Sequence, residues 1–270
     1  MPFRMRASAC AGRYRQTVGA ATTLLEPSTL SETVVVRYPA ARNSARVHLV
    51  TPAIVERAIA RRGVSGLLTP REHAVLDGIT VERRRRDWLA GRVAAKRGLR
   101  AACRRQHETV PAYHAIEILN DGNGAPRFTV DSRPELADRL DISIAHTDGA
   151  AVAAVADMLA AGTVGVDIEP TKPLSLTMVR RVLQPAELER LGEAATAHPT
   201  PLELWTAKEA AMKAARHLCT ALRDIELSWN GTRTLHARVV RADLPPHEIL
   251  VRHRSVGPYM VAIAICPLFQ

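Results

Sequence analysis

The residues Gly165-Val166-Asp167-Ile168-Glu169-Pro170 decide how the second half of the chain folds. Alternate residues of a strand share a face, so Asp167 and Glu169 point together while Val166 and Ile168 point into a core. Two carboxylates this close repel unless a cation sits between them. Oxygen ligands of this kind suit Mg²⁺, which takes few protein carboxylates and completes its shell with water and phosphate. Taken alone, the hexapeptide fits a solvated strand end with two surface acids equally well. Downstream stands Trp205-Thr206-Ala207-Lys208-Glu209-Ala210-Ala211-Met212-Lys213. On a helix, Glu209 and Lys213 lie one turn apart on one face. Alone they read as a surface salt bridge contributing roughly 0.3–0.5 kcal/mol. Two features favour chemistry: an Asp-x-Glu strand precedes the helix, and lysine is scarce. Together the segments offer three carboxylates for a metal and an ammonium for a phosphate oxygen.

Outward from this pair, the pattern predicts strands at Asp141 to Ala145, Ala150 to Ala156 and Thr163 to Glu169. Short helices are expected at Thr177 to Val182 and Pro185 to Leu191, a long one from Glu203 to Leu218, and strands near Ile225, Leu235, Ile249 and Tyr259 onward. In the first half, Ala45 to Val50 reads as a strand. Thr69-Pro70-Arg71-Glu72 is a helix start with Thr69 as cap and Pro70 in the first turn. A helix from about Glu82 to Arg105 places Trp88, Leu89, Val93 and Leu99 on one stripe. Ala115 to Leu119 is a strand, followed by an Asp121-Gly122-Asn123-Gly124 turn. Each half thus has a long helix and several strands. The expected fold is α+β in two pseudo-duplicated lobes, residues 45–150 and 151–270, each a small, mostly antiparallel sheet against a long helix. Residues 1–44 hold no acid before Glu26 and carry Arg4, Arg6, Arg13 and Arg15, which suits a disordered or targeting-like extension.

Composition narrows the partners. A formal net charge of +10 favours an anionic one: nucleic acid, a nucleotide or an acidic protein. Of 37 basic residues, only Lys96, Lys172, Lys208 and Lys213 are lysine, a scarcity that fits positions needing a compact ammonium and fits chance with codon bias equally well. Cys10, Cys103, Cys219 and Cys266 form no CxxC pair, and no apolar run approaches the ~20 residues of a membrane helix. A cytoplasmic setting without membrane attachment is expected.

Two further segments carry candidate chemistry. Ile142-Ser143-Ile144-Ala145-His146-Thr147 is a strand ending in a histidine and turn residues. In Arg83-Arg84-Arg85-Arg86-Asp87-Trp88-Leu89-Ala90-Gly91-Arg92, with Lys96 following, Arg92 and Lys96 lie one turn apart and could grip a phosphate. A basic run at a helix start is also an ordinary solvated face.

In this order, the segment Asp141 to His146, GVDIEPTKP and WTAKEAAMK resemble the Sfp-type 4′-phosphopantetheinyl transferases. DWLAGRVAAK is similar to their upstream helix, and Asn123-Gly124-Ala125-Pro126 to their Gly-x-Pro turn. The resemblance spans roughly residues 65–220. It implies transfer of phosphopantetheine from coenzyme A to a serine of an acidic acyl or peptidyl carrier protein, releasing 3′,5′-ADP. It also implies a monomer of two similar halves with the coenzyme between them, and no nucleic-acid partner. Asp167, Glu169 and Glu209 would hold Mg²⁺ (or Mn²⁺) on the pyrophosphate, and Glu209 would help deprotonate the serine. Lys213 would offset charge on the attacked phosphate. His146, Arg86, Arg92 and Lys96 would contact the coenzyme's phosphates.

The chain departs from the family pattern at Ala145, where a serine is frequent, and at Ala125, where a basic residue is frequent and Arg127 could substitute. Met178-Val179-Arg180-Arg181-Val182-Leu183 is similar to the carrier-docking region, although Val179, Val182 and Leu183 read equally as core. A metal-dependent nuclease or phosphodiesterase is the alternative that the carboxylates and charge also fit. A nucleic-acid-binding module is disfavoured by the 4% aromatic content. Which fatty-acid, polyketide or nonribosomal-peptide carrier is served stays open.

Overall fold

The computed structural model describes residues 33–35, 45–193, 199–219, 221–229, 234–241 and 243–268. These lie within one compact unit, Ser31–Gln270. Along the first half run β1 (Thr33–Val35), β2 (Arg46–Val50), α1 (Pro52–Arg62), α2 (Pro70–Gly78), α3 (Glu82–Arg105), β3 (Glu117–Asn120), β4 (Pro126–Thr129), α4 (Glu135–Arg139), β5 (Leu140–Thr147) and β6 (Ala150–Asp157). The second half holds α5 (Met158–Ala161), β7 (Thr163–Pro170), α6 (Leu176–Val179), α7 (Pro185–Glu193), α8 (Pro201–Ala214), β8 (Ile225–Trp229), β9 (Thr234–Val239), β10 (His247–Val256) and β11 (Tyr259–Cys266). No helix among the described residues is long and apolar enough to cross a membrane.

Two antiparallel sheets form, ordered β1-β2-β6-β5 and β7-β11-β10-β9-β8, with β3-β4 as a separate hairpin. The long helix α3 packs on the first sheet and α8 on the second. Alternation along the strands sets the layers. Val152 and Ala154 of β6 meet Val164, Val166, Ile168, Val261 and Ile263 between the sheets. Ala151, Ala153 and Val155 face α3, and Ala262 and Ala264 face α8. Helix, sheet, sheet and helix therefore stack around cores on both faces of each sheet. This is why β6 and β11 read as nearly unbroken apolar runs.

The expected division at residue 150 falls at the start of β6, which pairs with β2 and β5. The chain leaves the first sheet only at Met158–Ala161. Within the expected N-terminal extension, Thr33–Val35 pairs antiparallel with β2, as a β-branched Thr-Val-Val run favours. The rest of residues 1–44 lies outside the described residues.

Local signals fix the helix starts. α2 and α8 each begin with a Thr-Pro pair and a capping box, Thr69 with Glu72 and Thr200 with Glu203. The β5–β6 turn is Asp148-Gly149, both at positive φ (48° and 79°), the two-residue hairpin geometry that Asp-Gly favours.

The pseudo-duplication extends to a buried ion pair. In the first lobe, the Lys96 ammonium pairs with Glu72 and donates to the carbonyls of Leu67 (2.8 Å) and Tyr113 (3.0 Å). Glu72 also accepts from the backbone N–H of Thr69 and of Ile118. In the second lobe, Lys208 pairs with Glu187 at 2.8 Å and donates to the carbonyls of Leu222 and Ile225. Glu187 accepts from the N–H of Gln184 and of Leu227. In both, a lysine from the long helix neutralises a glutamate that ties a helix start to a strand. Lys96 is 1% exposed with all three ammonium protons engaged, so the structure removes it from the set expected to grip a phosphate.

Replacing Lys208 by Met leaves the Glu187 carboxylate buried without its cation, which typically costs about 3–5 kcal/mol. Urea unfolding of Lys208→Met measures this directly. A loss below about 1 kcal/mol would contradict the structural role.

Candidate functional site

Gly165, Asp167 and Glu169 share the face of β7 that looks at α8, while Val164, Val166 and Ile168 lie in the core between the sheets. A Cβ on Gly165 would stand 1.9 Å from the carbonyl oxygen of Ala210 and 2.4 Å from the backbone nitrogen of Ala214. Backbone therefore rests on backbone at this point, and only glycine permits it. The close approach brings the α8 stripe of Trp205, Glu209 and Lys213 onto the acidic face of β7. Lys213 Nζ lies 2.6 Å from Asp167 Oδ1 and 3.9 Å from Glu209 Oε2. The Trp205 indole N–H donates to Glu169 Oε1 at 3.2 Å.

Crowding of acids shows in their proton affinities. Glu169 is shifted above the ordinary carboxylate range, first by burial and then by Asp167, against the Trp205 hydrogen bond and the Lys213 charge. Glu209 is raised by burial and by Asp167, and Lys213 opposes the shift. Asp167 is 6% exposed, and its Oδ2 is buried without a hydrogen-bond partner. This donor set fits a small hard cation: carboxylate oxygens, one of them orphaned, at a spot where burial alone disfavours their charge. Among the described residues, no three His, Cys, Asp or Glu side chains make a ready-formed metal cage. Mg²⁺ commonly binds through only one or two carboxylates plus phosphate and water.

The first lobe meets this site along a seam. β5 and β7 are facing edge strands of the two sheets, and the β7 N–H groups of Val164 and Val166 donate to Asp141 Oδ2 (2.7 Å) and Ser143 Oγ (3.1 Å). Arg216 closes the seam. It pairs with Asp141 and donates to the carbonyls of Val164 (3.2 Å) and Lys213 (3.0 Å). At the end of β5, His146 Nδ1 lies 4.0 Å from Asp87 Oδ2, while Asp87 Oδ1 accepts from the Gly149 N–H at 2.6 Å. Burial holds the His146 pKa below its ordinary value. The Lys213 and Arg92 charges act in the same direction, and Asp87 acts against them. Ala145 points to the core between the sheets.

Gly78, Ile79, Thr80, Val81, Arg84, Trp88 and His146 line a cavity of about 420 Å³, a volume suited to a small ligand. The expected basic residues divide here. Arg86 is 68% exposed and paired at 3.9 Å with Glu82, so the cavity wall takes Arg84 in its place. Arg92 is buried over the Trp88 ring at 4.4 Å and donates to Asn120 at 3.2 Å, with its Nε unpartnered. Burial lowers its pKa to about 10. Arg127 is held by Asp121 at 3.0 Å. Of the docking segment, Val179 and Leu183 are core, whereas Met178, Arg180 and Arg181 are exposed. Arg84, Asp87, Trp88 and Trp205 stand inside the quoted motifs without an expected role in binding. Trp205 carried a signal, since it stands one helical turn before Glu209.

The family model described as the 4′-phosphopantetheinyl transferase superfamily matches residues 163–264, the span from β7 to β11 that holds the carboxylates and Lys213. A holo-[acyl-carrier-protein] synthase of Anoxybacillus flavithermus is 34% identical over 92 residues, covering 34% of this chain and 73% of that protein. Among solved structures, the holo-(acyl-carrier-protein) synthase of Bacillus anthracis in complex with CoA (3′,5′-ADP) is 23% identical, covers 42% of this chain and 93% of its own, and has a TM-score of 0.34. The Helicobacter pylori holo-[acyl-carrier-protein] synthase in complex with coenzyme A is 21% identical, covers 41% and 96%, and has a TM-score of 0.31.

Gly165→Ala forces β7 and α8 apart against backbone on both sides. We expect destabilisation near the upper end of the about 1–3 kcal/mol typical of overpacking, read from urea midpoints. An unchanged midpoint would mean that the helix does not bear on the strand at this residue.

Proposed function

Because the chain belongs to the 4′-phosphopantetheinyl transferase superfamily, we propose that it transfers the 4′-phosphopantetheine group of coenzyme A to a carrier-protein serine, releasing 3′,5′-ADP. The observation that carries this reading is the convergence of Asp167, Glu169, Glu209 and Lys213 within the segment the family model matches. Two lobes in one chain support the Sfp-type arrangement and a monomer, since both walls of the site come from a single copy.

Asp167, Glu169 and Glu209 would hold Mg²⁺, which when bound supplies charge neutralisation and alignment for displacement at a diphosphate. The protein's own groups do the rest. Glu209, with its raised proton affinity, is suited to accept the serine hydroxyl proton as the oxygen attacks. Lys213 lies beside the carboxylates and offsets the negative charge that grows on the phosphate under attack. On the opposite wall, His146 lines the cavity with Arg84 and Trp88, its Nδ1 4.0 Å from Asp87 Oδ2. This cavity is the proposed seat of the coenzyme's nucleotide end, with Arg84 rather than Arg86 as its phosphate-binding arginine. For the acceptor, exposed Met178, Arg180 and Arg181 suit a carrier protein with acidic side chains, and the +10 charge favours its approach.

Incubating the chain with labelled coenzyme A and a panel of apo carrier proteins tests the reading. Transfer should require Mg²⁺, stop with EDTA and return when Mg²⁺ is restored. Absence of transfer to any carrier, with phosphodiester hydrolysis in its place, would falsify the assignment. Glu209→Gln should lower the transfer rate by about 10²–10⁴-fold, the range for loss of a general base, with an unchanged melting temperature.

A further inference from the structure

We propose that Trp205 is a positioning residue of the carboxylate site, its indole N–H holding Glu169 in the orientation in which it joins Asp167 and Glu209 around a divalent cation. The inference rests on the metal-dependent reading above and adds a residue to it. Trp205, Glu209 and Lys213 recur every four residues of α8, an axial step of about 6.0 Å. Gly165, Asp167 and Glu169 recur every two residues of β7, a step of about 6.6–6.8 Å. Steps this similar let the two stripes run side by side, and Gly165 lets them touch. Lys213 reaches Asp167, and Trp205, two steps back along α8, reaches Glu169, one step on along β7.

The chemistry of the indole narrows its role. It donates one hydrogen bond and accepts none, so it can neither ligate a cation nor carry the serine proton. What remains is orientation. Among the described residues, Trp205 is the hydrogen-bond donor to the Glu169 carboxylate, and it engages Oε1 only, leaving Oε2 for a ligand. Without that anchor, a partly buried glutamate beside Asp167 is free to turn away from its neighbour's charge. Outer groups that orient a ligating carboxylate typically account for 10–100-fold in metal affinity.

The test uses Mn²⁺ alone, titrated into the full chain and followed by the EPR signal of the free ion, independently of any transfer assay. Trp205→Phe should weaken Mn²⁺ binding about 10–100-fold, while the melting temperature confirms folding. Glu169→Gln should also weaken binding. The double variant should bind no more weakly than Glu169→Gln alone, because the indole acts through that carboxylate. Mn²⁺ affinity of Trp205→Phe within twofold of wild type, or fully additive losses in the double variant, would overturn the proposal. If Trp205→Phe does not fold, benzothienylalanine at position 205 keeps the ring shape and removes only the N–H, with the same loss expected. A wild-type chain that binds Mn²⁺ and loads a carrier, with an unaffected Trp205→Phe, sinks the positioning role and leaves the transferase reading intact. A wild-type chain that does neither sinks both.

Discussion

Contact between the backbone of Gly165 and the backbone of α8 is the constraint on which the site depends. At the distances found, any side chain on β7 at this position would have to occupy the space of the Ala210 carbonyl. Van der Waals contact here sets the helix height over the sheet, and that height is what lets Lys213 bridge to Asp167 and Trp205 reach Glu169. The first lobe meets the same requirement in the opposite way. There the glycines are on the helix: Gly91 rests on Ile144, and Gly98 on Val155 and His48. A small residue is needed wherever a long helix lies flat on a sheet whose other face is also buried. Which partner supplies it decides which partner keeps its side chains for chemistry. In the second lobe the strand supplies the glycine, and α8 meets the sheet through Ala207, Ala210, Ala211 and Ala214 while Trp205, Glu209 and Lys213 keep their side chains for the β7 face.

The scarcity of lysine has two physical origins. Lys96 and Lys208 each face one carboxylate and two carbonyls in a dry setting, an arrangement matching the three donors of an ammonium. A planar guanidinium would bring five donors to three acceptors. Lys213 spans from α8 to Asp167 at 2.6 Å, whereas Lys172 is exposed. Scarcity of lysine therefore does not by itself distinguish a buried structural ammonium from a surface one. Arg92 and Lys96 are one turn apart on α3, yet the partners that consume Lys96 come from α2 and from the loops before α2 and β3.

Much of the framework was legible because it is encoded locally. Thr69 as cap and Pro70 in the first turn marked α2, and 3.6-residue periodicity marked α3 and α8, whose expected start at Glu203 lies two residues inside the observed Pro201. The doubly buried strands announced themselves as apolar runs. Of the missed elements, α1 opens with the same Thr-Pro pair, Thr51-Pro52, but lacks the glutamate of a capping box and makes no side-chain cap hydrogen bond, and β4 is four residues beginning with proline. Legibility at the site followed the same division. Asp167, Glu169, Glu209 and Lys213 lie on two regular elements whose periods fix their faces. Arg84 and Arg86 lie in a run of four arginines on nearly opposite faces of α3, and the run itself does not say which face meets the cavity. The packing of α3 on the first sheet, with Asp87 accepting from the Gly149 N–H of the β5–β6 turn, sets that face.

That turn contact is one of two devices that align the walls of the site. Among the described residues, no backbone ladder joins the two sheets. Side chains of β5 do the joining: Asp141 and Ser143 take the outward N–H groups of the β7 edge, and Arg216 locks Asp141 to the C-terminal end of α8. An edge strand whose donors are satisfied by side chains is protected from pairing with another chain, and it also fixes the offset between the strands. Because Asp141, Ser143 and Ala145 alternate toward the second sheet, His146 faces away from it, toward Asp87 and the cavity. The histidine and the carboxylates thus line different surfaces, yet they lie close enough for the Lys213 charge to lower the proton affinity of His146. A ligand with a nucleotide at one end and a diphosphate farther along could lie across both surfaces, and the Asp141–Arg216 seam sets the span it must match.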